Sequence, residues 1–355
     1  MSINLVVGAG ILPVEDFSLP TQPVQPIVPP SPSSLYIEVT KNCNEKCTMC
    51  PRTYRWPDRK DNLNFEHFTH IVDQAGKLER AVLHGLGEPL LNPQLFKMVR
   101  YLKARGVYVL FNSNALALNE RRRTELVESG LDEYRVSLDA ARPETYKLVR
   151  GIAGLDKVKR NLLALTALMA RIGHGPKVSL WFTTMRENIK ELPDVARFAV
   201  EAGISELYVQ RLVYFGEGLA VAEQSLYRQT AQQEREALAL TSQICQEHGI
   251  NLAASGGEQV GLQGNLTAQA ALDDERPWKT CTRPWRLMYV QANGDVSPCC
   301  FAPFTGIDGE PILGNVFQES LEEVWQGRKY IEFRRAFLTK QPPKCCEGCG
   351  AKWSV

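Results

Sequence analysis

Nine of the ten cysteines fall into two groups. The first is the stretch CNEKCTMC, with Cys43, Cys47 and Cys50 spaced C-x3-C-x2-C. The second holds Cys281, Cys299, Cys300, Cys345, Cys346 and Cys349, and Cys245 stands alone. Soft thiolates suit zinc, copper(I) or iron–sulfur groups. A structural zinc site usually draws four ligands from two separated pairs. The front loop supplies three thiols with no fourth close by. A cubane iron–sulfur cluster can take three thiolates and leave one iron open, and an open iron is a binding site. That points toward catalysis rather than scaffolding. In the second group, Cys281 and Cys299 frame a hairpin-like stretch, and Cys346 and Cys349 form CEGC. These four thiols make a complete ligand set for one cluster, or equally for zinc. Cys300 and Cys345 adjoin proposed ligands and can exchange roles with Cys299 and Cys346.

The bulk of the chain narrows the setting. It has 355 residues, 44% hydrophobic and 23% charged, with a net charge of +1. That balance gives no electrostatic case for nucleic acid or an anionic membrane. No apolar run approaches the roughly 18 residues of a membrane span. The start lacks the basic segment of a secretory signal. A cytoplasmic protein with clustered cysteines favours metal or redox chemistry over a disulfide framework. The five histidines show no paired zinc spacing. VVGAGIL near the start has only two glycines and is followed by Pro13, so it does not read as a dinucleotide loop. Cys245 reads as a small core hydrophobe, and Trp285 and Trp325 as packing residues.

The elements that must position these thiols alternate. Residues 1–34 carry seven of the 21 prolines and read as a flexible leader. From Ser34, strand-like stretches such as LYIEVT and RAVLHGLG alternate with amphipathic helices. Asn64, Asn92 and Asn119 read as helix N-caps. Six β/α units in residues 35–255 imply a parallel sheet in a partial (β/α)6 TIM-like barrel. Chemistry in such sheets gathers at the C-terminal ends of strands, where CNEKCTMC falls after the first strand. Residues 256–276 read as a polar linker. Residues 277–355 read as a small cysteine-rich α+β domain, with a hairpin turn at Asn293-Gly294-Asp295 and a capping box from Ser320 to Glu323. It is thin in apolar residues and calls for a metal staple.

The C-x3-C-x2-C loop after the first strand resembles that of the radical S-adenosylmethionine (SAM) enzymes. Further stretches fall where that family has its motifs: GLGEP (85–89) after the second strand, NSN (112–114) after the third and SLD (137–139) after the fourth. Met49 stands where an aromatic residue is common, and a thioether can pack against adenine. Asn114 stands where glycine is usual, and Asn tolerates positive φ. The back cysteines resemble the SPASM and twitch auxiliary-cluster domains, in the shorter twitch-like form.

The resemblance implies that Cys43, Cys47 and Cys50 hold a [4Fe–4S] cluster whose open iron binds SAM. It implies SAM contacts at Gly85, Gly87, Glu88, Pro89, Asn112, Ser137, Asp139, Met49 and Gln210. It further implies reductive cleavage of SAM to a 5′-deoxyadenosyl radical, which takes hydrogen from a substrate. One auxiliary [4Fe–4S] cluster on Cys281, Cys299, Cys346 and Cys349 would assist by accepting an electron. By the same resemblance a flavodoxin or ferredoxin supplies electrons. The expected reaction is oxidation of a small biosynthetic intermediate, with peptide maturation or epimerisation as the alternative. A zinc-stapled binding protein is the alternative of another class.

Overall fold

The computed structural model describes residues 27–58, 61–213, 215–226, 232–254, 281–302, 311–339 and 341–347. The leader up to residue 26, the linker 256–276 and Cys349 lie outside the described residues.

Seven parallel strands run side by side in chain order: β1 (Ser34–Ile37), β2 (Arg80–Val82), β3 (Tyr108–Ser113), β4 (Glu133–Ser137), β5 (Lys177–Thr184), β6 (Glu206–Arg211) and β7 (Asn251–Ala254). The helices between them are α1 (Pro51–Arg55), α2 (Phe65–Gln74), α3 (Leu95–Lys103), α4 (Glu120–Glu128), α5 (Pro143–Arg150), α6 (Leu155–Ile172), α7 (Leu192–Glu201) and α8 (Gln232–Glu247). The six strands expected from sequence are present. β7 adds a short one at the edge.

The small domain is not a detached unit. Its strand β8 (Leu287–Val290) pairs in parallel with β1, from Ser34 opposite Leu287 to Ile37 opposite Val290. β9 (Asp295–Ser297) and β10 (Gly314–Asn315) continue antiparallel from β8, giving one ten-stranded sheet. The expected turn is present, with Gly294 at φ +86. Such a conformation suits glycine because no Cβ crowds it. Among the described residues four helices complete this part: α9 (Arg283–Arg286), α10 (Leu321–Gln326), α11 (Arg328–Phe337) and α12 (Lys344–Glu347). The Ser320–Glu323 capping box starts α10.

Successive strand residues point to opposite faces. Leu35, Ile37, Ala81, Leu83, Val109, Phe111, Met288 and Val290 join the main core beneath the helices, with Phe68, Val99 and Trp325. The intervening Tyr36, Val82, Leu110, Leu287 and Tyr289 form a second cluster. Tyr36 and Tyr289 from it line the central cavity.

Asn64 and Asn119 cap α2 and α4, accepting from the His67 and Arg122 amides. α3 begins at Leu95, two residues later than expected, and Asn92 Oδ1 accepts from the Gln94 amide at 2.8 Å just ahead of it. The Asn92 amide donates to the carbonyls of Val39 and Leu63, tying the first strand's loop to the start of α2. Part of the leader is also held: Trp325 Nε1 donates to the Pro30 carbonyl at 2.6 Å. Among the described residues no helix is long and apolar enough to cross a membrane.

Candidate active site

The cysteine loop leaves the end of β1 and closes into α1, where the Cys50 amide donates to the Cys47 carbonyl at 3.1 Å. It is fastened from outside by the end of α5. The Thr48 amide donates to Val149 O at 2.9 Å and the Lys46 amide to Arg150 O at 3.2 Å. Gly151 closes α5 at φ +73, and a Cβ there would sit 2.1 Å from the Lys46 carbonyl oxygen. The loop therefore packs directly on bare backbone. Arg150, buried, pairs with Glu45 at 3.3 Å and with Asp139. Tyr146 OH donates to Glu45 at 2.6 Å. Sequence reasoning missed Glu45, inside the cysteine loop, and its partners Tyr146 and Arg150, which carry no motif and lie 101 and 105 residues further on.

The glycine turn after β2 nests against the same loop. A Cβ on Gly87 would meet the Thr40 carbonyl oxygen at 2.3 Å, and one on Gly85 would meet Glu38 Cγ at 2.4 Å. The Glu88 amide donates to Asn42 O at 2.8 Å. The Glu88 carboxylate accepts from Ser113 Oγ and the Asn114 amide, each at 2.7 Å, and from the Leu90 amide at 3.0 Å. Burial pushes its pKa up to about 7. Glu88 thus binds the loops after β2 and β3 together. Pro89 opens a short 3-10 turn and does not line the cavity.

A cavity of about 370 Å³ gathers the other expected residues. Cys43, Cys47 and Cys50 line it with Met49, Gly85, Gly87, Glu88, Asn112, Ser137, Asp139 and Gln210. His84, Trp181 and Tyr208 also face it, Trp181 and Tyr208 with ring centroids 4.0 Å apart. Asn112 Oδ1 is buried with no hydrogen-bond partner among the described residues. Asp139 is spent on Arg150 and on the Thr183 amide, at 2.7 Å from the latter. The expected positive φ at Asn114 falls one residue later, at Ala115 with φ 58. Asn114 instead bridges loops, its Nδ2 donating to Asn44 Oδ1 at 2.7 Å.

Burial raises all three thiol pKa values, Cys43 to about 12 and Cys47 well above the ordinary range. Arg150 opposes the effect at Cys47, with Nη1 3.8 Å from its sulfur. Thiols so placed stay protonated until a metal takes the proton's place. Among the described residues no three His, Cys, Asp or Glu side chains converge where a single ion could sit. A cluster with one iron per thiolate needs no such point.

Cys281, Cys299 and Cys346 pack against the main core, and Cys299 and Cys300 against the cavity-side cluster. Cys345 and Cys346 have sulfurs 3.9 Å apart. Cys300 lines the central cavity, with Arg283 Nη1 3.8 Å from its sulfur. Cys245 is buried in the core on α8, as expected.

The matches to known proteins agree with this arrangement. The Radical SAM superfamily model matches residues 37–199, and the SPASM iron-sulfur cluster-binding domain model matches residues 281–350. The tungsten-containing aldehyde ferredoxin oxidoreductase cofactor-modifying protein of Pyrococcus furiosus is 30% identical over 336 residues, covering 88% of this chain and 86% of its own. The PqqA peptide cyclase of Streptomyces rochei is 26% identical over 323 residues, covering 89% of this chain and 82% of its own. The crystal structure of Streptococcus suis SuiB bound to S-adenosylmethionine shares the fold, with a TM-score of 0.65 at 16% identity over 92% of this chain and 72% of that one. The chain belongs to the radical SAM superfamily and carries a C-terminal SPASM domain. It is an enzyme that uses a [4Fe–4S] cluster and SAM, with auxiliary iron–sulfur chemistry in the SPASM domain.

The residues fit these groups. Three thiols face one cavity beside the backbone of Gly85 and Gly87, and among the described residues Asn112 offers an unmatched acceptor there.

Proposed function

We propose that Cys43, Cys47 and Cys50 ligate the SAM-binding cluster. In this reading the Gly85–Glu88 backbone receives the methionine end of SAM, Asn112 and Ser137 the ribose, and Met49 and Gln210 the adenine. Asp139 acts through Arg150, keeping the cysteine loop seated. Cys281, Cys299, Cys346 and Cys349 hold one auxiliary [4Fe–4S] cluster, with Cys300 and Cys345 as the possible exchanges. When bound, these groups supply a 5′-deoxyadenosyl radical that removes a hydrogen atom, and a sink for the electron that follows as substrate is oxidised. The chain's own task is to aim the substrate hydrogen and keep water out.

One observation carries this reading: Cys43, Cys47, Cys50 and Cys300 border a single cavity. In this reading a substrate held there lies within reach of the three front thiols and of Cys300. We assign oxidation of a small biosynthetic intermediate, fed by a cytoplasmic flavodoxin or ferredoxin. Peptide modification is the second reading, favoured by the likeness to PqqA peptide cyclase over most of both chains.

Anaerobic reconstitution tests the assignment. About eight irons per chain and dithionite-dependent release of 5′-deoxyadenosine are expected. Replacing Cys43, Cys47 or Cys50 by Ala should abolish that release. Replacing Cys346 or Cys349 should leave some release but stop substrate turnover. A colourless protein carrying zinc would refute the assignment.

A further inference from the structure

Buried polar atoms are nearly always paired, and one without a partner calls for a ligand or an ordered water. On the wall of the central cavity, Asn112 Oδ1 and Arg135 Nε have no hydrogen-bond partner among the described residues. Asn112 on β3 and Arg135 on β4 stand directly opposite each other in the strand register. Opposed residues on neighbouring strands share a face. One orphan is an acceptor and the other a donor.

Arg135 is already held in place. Its Nη2 donates to Glu133 at 2.9 Å, and its guanidinium lies 4.4 Å from the Trp181 ring centroid. Glu133 also accepts from Ser179 Oγ at 3.4 Å, and that oxygen accepts from Trp181 Nε1 at 3.0 Å. Glu133 thus answers the charge of Arg135. The Nε–H group is left in need of an acceptor, not of a counter-ion.

An uncharged group that accepts at one atom and donates at another meets both needs. A carboxamide does so in one plane, with its C=O toward Arg135 Nε and its N–H toward Asn112 Oδ1. We infer that the substrate presents a carboxamide group to Asn112 and Arg135. The inference deepens the reading above and rests on it only in taking this cavity as the substrate's. The ribose contact proposed for Asn112 draws on Nδ2 and leaves Oδ1 to the substrate.

The probes are benzamide, its isostere acetophenone, which keeps the carbonyl but has no N–H, and benzoate. Binding is measured by equilibrium dialysis against the reconstituted protein with saturating SAM and no reductant. Benzamide should bind about fivefold or more tighter than acetophenone, and benzoate no tighter than benzamide. Asn112→Leu removes the acceptor and should erase the advantage of benzamide over acetophenone. Arg135→Lys keeps a cation for Glu133 and removes Nε–H. It should weaken both probes alike and leave their ratio unchanged. A merely structural role would instead weaken both probes equally in both variants, and that result would overturn the inference. So would equal affinity for benzamide and acetophenone in the unaltered protein, tighter binding of benzoate, or no binding of benzamide. Benzamide binding that SAM displaces would show that the pair serves the cosubstrate, and the inference would fall. Circular dichroism identifies a variant that does not fold, and the selectivity of the unaltered protein then decides. SAM cleavage is scored separately. Its absence counts against the assignment of the first centre, whereas the ratio of the two probes tests the pair by itself.

Discussion

The Tyr289 hydroxyl donates to the Glu38 carboxylate at 3.0 Å across 251 residues of chain. The same carboxylate accepts from the Leu86 amide in the glycine turn at 3.0 Å and from the Ala292 amide at 3.4 Å, and Lys41 lies 3.6 Å away. Lys41 in turn donates to Gln291 at 2.8 Å. One buried acid just past the first strand thus joins the glycine turn after β2 to the small domain.

Tyr289→Phe keeps the ring and removes one donor to a buried acceptor. It should cost about 1–3 kcal/mol of stability. Glu38→Gln tests the charge. Burial holds the Glu38 carboxyl above its ordinary range, with Lys41 and the donors pulling back only partly. The folded chain therefore binds this proton more tightly than the unfolded chain. The contribution is complete below the ordinary glutamate value and is lost as pH rises through the folded one. Urea titrations of the apoprotein across that window should show stability falling with rising pH, less steeply in Glu38→Gln. Parallel slopes would show that Glu38 does not drive the fall.

Gly151 and Gly173 offer a matched pair. Both end helices in the left-handed region, at φ +73 and +83. A Cβ on Gly173 meets nothing within 4 Å, whereas one on Gly151 meets the Lys46 carbonyl. Gly173→Ala should therefore cost only the backbone penalty, about 1–2 kcal/mol. Gly151→Ala must also push the cysteine loop away. Its expected signature is reduced iron at the first centre after reconstitution, with the auxiliary iron retained. Equal iron content in the two variants would count against the contact.

What could be read in advance followed the range of each interaction. Cys43, Cys47 and Cys50 announce themselves because three thiols fall in one loop. GLGEP is legible for the same reason, and so are the caps at Asn64, Asn119 and Ser320, which are settled within three residues. Asn92 was half legible: its oxygen accepts from the Gln94 amide ahead of α3, while its amide answers Val39 and Leu63, partners outside its own helix. Gly151 and Arg150 were invisible because their meaning lies in Lys46, Glu45 and Asp139. The pairing of β8 with β1 was hidden likewise. A four-residue apolar strand says nothing of which edge it will join, and LMYV reads equally well as part of an isolated hairpin.

Arg150 is expected to be irreplaceable. Arg150→Met leaves Glu45 and Asp139 buried without their cation, a loss of about 3–5 kcal/mol for a broken buried pair. Arg150→Lys should rescue only part, since one ammonium cannot span both carboxylates as the guanidinium does. Chemical denaturation of the two variants, with iron content measured beside it, separates a folding role from a role in seating the cysteine loop. Wild-type stability in Arg150→Met would show that the two acids take up protons at little cost.

The segment before β1 offers the last test. Trp325 holds the Pro30 carbonyl, and the buried Arg334 donates to the carbonyls of Ile27 at 3.4 Å, Trp325 at 2.9 Å and Pro284 at 2.9 Å. Its guanidinium lies over the rings of Trp325 and Tyr330, at 4.3 and 4.5 Å. Burial lowers its pKa to about 10, so the cation is kept by carbonyl dipoles and ring faces. Trp325→Phe removes a single donor and should cost about 1 kcal/mol. Arg334→Met deprives three carbonyls at once and should cost more. Both should speed proteolysis between residues 27 and 33 under native conditions, because that stretch loses a tie to α10 or α11 while its ties to β2 remain. Cleavage at the wild-type rate in both variants would mean that packing against the small domain, and not these donors, holds the segment in place.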